Sequence, residues 1–107
     1  MEFIQVQITF PTMESAKRVG LVLVEGHLAA CVQIVGKIRS MYIWNGEMEN
    51  SEEILLLAKT RQSLFEEFID VVRRFHPYVC PQIVGLPIVD ANIDYIEWMN
   101  NQLKNPT

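Results

Sequence analysis

The sequence predicts an α+β chain: an antiparallel sheet of four strands with two helices on one face, a long hairpin at its centre and a short C-terminal helix. Three observations carry that expectation. Residues 39–60, RSMYIWNGEMENSEEILLLAKT, read as two long strands folded back at Asn45-Gly46, a pair that tolerates the positive φ of a type I′ turn. Two further segments, 3–10 and 82–89, read as strands, and two, 13–25 and 63–75, carry apolar residues at helical spacing. The resulting order, strand, helix, strand, strand, helix, strand, is the split βαβ pattern, and 107 residues suffice for a single domain over 1–107 with a modest core.

The elements follow in order. Ile4, Val6, Ile8 and Phe10 alternate against Phe3, Gln5, Gln7 and Thr9, and Pro11 stops the strand. Thr12 offers an N-cap to a helix in which Ala16, Val19 and Leu23 share a face, Glu14 sits in the first turn, and Gly26 follows as the residue suited to a left-handed end. Residues 28–35 form a nearly continuous apolar run, and Gly36 marks a bend or bulge before the hairpin. In the hairpin, Ile38, Ser40, Tyr42 and Trp44 fall on one face and Arg39, Met41 and Ile43 on the other, with the return arm ending at Thr60. Ser63 is placed to cap the second helix, whose stripe is Leu64, Phe65, Phe68, Ile69, Val72 and Phe75, with acidic residues leading and Arg73 and Arg74 trailing. Pro77 and Pro81 make residues 76–81 an ordered, extended connection, and Pro81 and Pro87 send the last strand to a sheet edge. Asn92 or Asp94 caps the final helix through Leu103, which buries Ile96, Met99 and Leu103.

Composition excludes several classes. Nine basic residues scattered along a chain of net charge −4 do not make a nucleic-acid surface. No apolar run reaches the roughly 20 residues that span a bilayer, and MEFIQVQITF lacks the charged start and cleavage site of a secretory signal, so a cytoplasmic location is expected. That compartment favours Cys31 and Cys80 as free thiols. Hairpin arms longer than the usual strand of about five or six residues overhang a sheet this small, and an overhanging apolar ribbon calls for a partner chain.

The segments HLAACVQI, then S-x-Y-x-W-x-G from Ser40, LLLAKT, HPYVCPQIVGLPIV and DYIEW resemble, in order and spacing from Val6 to Trp98, the CutA family of divalent-cation tolerance proteins. The resemblance implies a ferredoxin-like βαββαβ fold, a homotrimer built by strand pairing between subunits, a shape similar to the PII signalling proteins, a cytoplasmic location, and an association with copper and other divalent cations. Val79 and Gln82 stand where family members commonly carry acidic residues, which removes two oxygen ligands from beside His76.

The candidate metal ligands are His76 and Cys80, four residues apart, with His27 and Cys31 as a second pair at that spacing. Each pair spans a chain bend, so the competing reading makes Cys31 a buried small hydrophobe and His76 a helix C-terminal residue whose cationic form suits the dipole. Tyr42, Trp44, Lys59, Tyr78 and Trp98 are assigned to the subunit interface or the cleft beside it. Glu47, Glu49, Glu52 and Glu53 read as a solvated hairpin tip. No catalytic motif is present (no GxSxG, P-loop, GxGxxG, CxxC or HExxH), so a non-enzyme is expected. The functional readings are metal-ion tolerance with weak binding at exposed or intersubunit positions, a PII-like signalling module that binds a small anion or metabolite in the clefts between subunits using Lys59, Arg61 and the ordered connection His76-Pro77-Tyr78, and a structural assembly that presents a partner-binding surface.

Overall fold

The computed structural model describes residues 2–106 and bears out the predicted element order. The elements are β1 (Phe3–Phe10), α1 (Met13–Glu25), β2 (Cys31–Trp44), β3 (Glu47–Arg61), α2 (Phe65–Phe75), β4 (Ile83–Pro87) and α3 (Ile93–Gln102). The strands form one antiparallel sheet in the spatial order β2-β3-β1-β4. Alternation decides which face the helices cover. Val6, Ile8 and Phe10 of β1 and Ile54, Leu56 and Ala58 of β3 join Ala16, Val19 and Leu23 of α1 and Phe68 and Val72 of α2 in one buried cluster. A fully buried side chain of this kind contributes about 1.5–3 kcal/mol.

The helix ends show where local signals were sufficient and where they were overridden. Thr12 Oγ1 accepts the Ser15 amide at 3.1 Å, as its cap position predicts. At the other end Gly26 is not the left-handed residue; it has φ −84°, and His27 takes φ 58°. The C-terminal segment holds His27 there, because Lys104 N–H donates to the His27 carbonyl at 2.9 Å and His27 Nδ1 lies 3.0 Å from the Gln102 carbonyl. Ser63 does not cap α2. β3 runs on to Arg61, and a 3-10 turn, Gln62–Leu64, follows at once, tied to the start of the chain by the Gln62 amide on the Glu2 carbonyl at 3.0 Å; Ser63 is caught inside it. Asn92 occupies the cap position of α3 without accepting a helix amide; its Nδ2 instead donates to Asp94 Oδ1 at 2.6 Å, and that oxygen also accepts the Tyr95 amide at 3.1 Å.

The hairpin is as long as the sequence suggests, with 14 residues in β2 and 15 in β3. Asn45 and Gly46 have φ 52° and 79°, the left-handed pair of a type I′ turn. The predicted bulge is a register shift between Ile34 and Gly36, with Gly36 at φ 109°. β1 ends at Phe10 opposite Ile54, so everything from Glu53 to the tip stands beyond the helix-covered sheet and stretches the molecule to 45 Å against 26 and 22 Å across. β4 is an edge strand, as its prolines require, but shorter than predicted: Pro81 and Gln82 precede it, and Pro87 closes it opposite Ile4.

Candidate functional site

A cavity of about 780 Å³ opens between the overhanging part of the hairpin and the connection that joins α2 to β4. Thr9, Tyr42, Trp44, Glu49, Glu53, Tyr78 and Cys80 are among its lining residues. Cross-strand pairing explains why they meet. Tyr42 stands opposite Glu49, Trp44 opposite Glu47 and Ile38 opposite Glu53, and directly opposed residues share a face.

The connection is fixed by His76. Helix α2 ends there as the backbone turns extended, and the imidazole lies on Phe10 with ring centroids 4.5 Å apart. Nε2–H donates to the Thr9 carbonyl at 2.8 Å, and Nδ1 accepts the Tyr78 amide at 3.0 Å. A ring that donates from one nitrogen and accepts at the other is the neutral tautomer, and burial holds its pKa below the usual 6.5 against the opposing pull of the Thr9 hydrogen bond and the Glu53 charge. His76 is thus a buried neutral hinge pin, not the dipole-stabilised cation of the competing sequence reading.

That pin delivers Tyr78. Its hydroxyl donates to Glu53 Oε2 at 2.7 Å, and burial, with the Glu53 hydrogen bond and charge next, pushes the phenol well above its ordinary value. Glu53 is only 5% exposed, which corrects its assignment to a solvated tip. The signal was available in the alternation: Glu53 shares the face of Leu55 and Leu57 at the point where the return arm re-enters the body of the sheet.

The sequence-selected residues separate into two groups. Tyr42, Trp44, Tyr78 and Cys80 line the cavity, with the Cys80 thiol exposed. His76 anchors its wall, and a metal at either ring nitrogen would have to displace one of its two hydrogen bonds. The others lie elsewhere. Lys59 donates to Gln33 Oε1 at 2.8 Å, Arg61 bonds the Lys104 carbonyl and Asn100 Oδ1, each at 2.8 Å, and exposed Trp98 sits beside Tyr95, 5.5 Å between centroids. Cys31 is half-buried rather than buried and lies beside Tyr95, whose pKa is raised first by its own burial and then by its interaction with Cys31. Among the described residues no three of His, Cys, Asp and Glu gather into a group that could hold a metal ion, so a single chain assembles from them no oxygen-rich cage of the kind a hard divalent cation prefers.

No helix among the described residues is long and apolar enough to cross a membrane. The family model described as CutA1 divalent ion tolerance protein matches residues 4–102. The divalent-cation tolerance protein CutA of Thermus thermophilus is 44% identical over 94 residues, covering 88% of this chain and 91% of that protein. The crystal structure of CutA1 from Oryza sativa superposes with a TM-score of 0.94 at 38% identity, over 97% of this chain and 95% of the other. A protein of Archaeoglobus fulgidus described as the periplasmic divalent cation tolerance protein CutA superposes with a TM-score of 0.92 at 33% identity, over 95% and 99% of the two chains. The chain spans little more than half the length of the plant and human relatives it matches. The matched span, the fold and the sequence motifs agree, and the chain belongs to the CutA1 divalent ion tolerance protein family.

Proposed function

We propose that this chain is a trimeric, non-enzymatic cytosolic protein of divalent-metal tolerance, meeting copper or a related ion through weak contacts at exposed or intersubunit positions. Membership of a family named for divalent ion tolerance, over residues 4–102, carries the reading. The strand order β2-β3-β1-β4, with α1 and α2 on one face, supports the ferredoxin-like description. Assembly is supported by the hairpin: β2 lies at the sheet edge, β3 has no strand beside it on its β1 side beyond Ile54 among the described residues, and Met41, Ile43 and Met48 are each about 70% exposed on it. The non-enzymatic reading is supported by His76, whose two nitrogens are occupied and leave no lone pair to activate Cys80. The two free thiols are consistent with the reducing cytosol.

Equilibrium dialysis against copper and zinc tests the metal reading. The exposed Cys80 thiol is the soft ligand within reach, so Cys80→Ser should reduce copper binding while leaving the fold intact. No binding below the millimolar range by the unaltered protein would end it.

The cavity favours a second reading, a PII-like module for a small ligand. It is built from aromatic walls and a buried carboxyl, and Lys59 and Arg61 take no part in it. A thermal-shift screen separates the two readings, since a ligand specific to the folded state raises the melting temperature.

A further inference from the structure

The geometry points to a linear aliphatic polyamine as the ligand of the cavity between the hairpin and the connection after α2, an assignment that rests on the small-ligand reading. Four observations converge on it. Glu53 is only 5% exposed, lines the cavity, and makes one hydrogen bond among the described residues, from Tyr78 to Oε2; its second oxygen has no hydrogen-bond partner among them and stays open to the cavity. An oxygen open to the cavity can take a further donor, and an ammonium head supplies both that donor and the opposite charge. Glu49 also lines the cavity, half-buried and without a hydrogen bond among the described residues. Finally, none of the lining residues is basic, whereas Tyr42, Trp44 and Tyr78 present aromatic rings, which attract cations at their faces and cover methylene chains.

Spacing decides between a metal and an extended organic cation. Glu49 and Glu53 lie four residues apart on one face of β3, so their backbone positions are separated by roughly 13 Å at about 3.3 Å per residue. A divalent ion bound by oxygens at roughly 2.0–2.6 Å would touch one carboxyl or the other. A chain with an ammonium at each end reaches both, with its methylenes against the aromatic wall between them. The two carboxyls therefore select for charge separated by aliphatic length, which a compact metal ion and a monoamine lack.

Isothermal titration of the full chain at near-neutral pH and low salt tests the assignment, with spermidine, putrescine, n-butylammonium, butanediol and butyrate as probes. Spermidine is expected to bind about tenfold or more tightly than butylammonium, since each buried charge-assisted contact is worth that much, with butanediol and butyrate silent. Glu53→Gln keeps an acceptor for Tyr78 and should weaken spermidine about tenfold; Glu49→Gln, which breaks no hydrogen bond among the described residues, gives the same readout without a burden on folding. Glu14→Gln, on the exposed first turn of α1, should change nothing. Equal weakening by Glu14→Gln would reduce the effect to general attraction toward an acidic protein and overturn the proposal. Binding of butanediol or butyrate as tight as that of the amines would leave a small-ligand site and overturn the polyamine. Silence from every probe would overturn both.

Discussion

The Tyr78 hydroxyl donates a 2.7 Å hydrogen bond to Glu53 Oε2 and so ties the connection after α2 to a strand 25 residues earlier in the chain. It places a phenol and a carboxyl, each drawn from a segment that local sequence would leave at the surface, at the inner end of one cavity. Tyr78→Phe removes the donor and leaves Glu53 buried without a partner. The expected loss is about 1.5–3 kcal/mol, read as a lower urea midpoint at unchanged slope. An unchanged midpoint would show that solvent replaces the phenol at no cost.

His76 gives the protein a pH dependence of definite sign. Its folded pKa lies below 6.5 because burial disfavours the imidazolium and Nδ1 must accept the Tyr78 amide. The unfolded chain therefore binds a proton that the folded one resists, and the group's stability contribution is full above 6.5 and declines as pH falls from there through the folded value. Urea midpoints taken from pH 8 downward should show this decline. The His76→Gln variant should be less stable at neutral pH and should lack it, so parallel profiles for the two proteins would refute the account.

Gly36 isolates a purely conformational cost. A Cβ there would meet nothing within 4 Å, yet φ is 109°, where side-chain-bearing residues are strained. Gly36→Ala should destabilise by about 1–3 kcal/mol, with no cavity or clash to blame. Thermal unfolding measures it; a neutral result would mean that the bulge relaxes to another backbone path.

The hairpin overhang predicts a separation of assembly from folding. Ile43 is 69% exposed and Trp44 49% exposed in the single chain, so Ile43→Glu or Trp44→Ala should cost the isolated fold within about 0.5 kcal/mol. In the proposed trimer the same changes should shift sedimentation toward smaller species while the far-ultraviolet circular dichroism stays as it was. Variants that sediment as the unaltered protein does would count against the hairpin as the joining surface.

Periodicity and turn chemistry made most of this architecture legible from the sequence, because they act between neighbours. Asn45-Gly46 set the hairpin, Gly36 its bulge, Thr12 the start of α1, and Pro87 the edge position of β4. Where the reading missed, a distant segment had intervened. Lys104 and Gln102 draw His27, rather than Gly26, into the left-handed region, and Glu2 holds the turn that takes Ser63 away from its helix.

The site itself was written at long range. Nothing local to His76 says that its ring will lie on Phe10 and bond Thr9, and nothing local to Glu53 says that Tyr78 will reach it. Sequence alone determined the strands, the helices and the excess length of the hairpin, since each depends on side chains a few residues apart. Only the tertiary structure decided that Tyr78 closes over Glu53, that both nitrogens of His76 are hydrogen-bonded and which aromatics share a cavity, because those depend on strand register and on where the chain returns after α2.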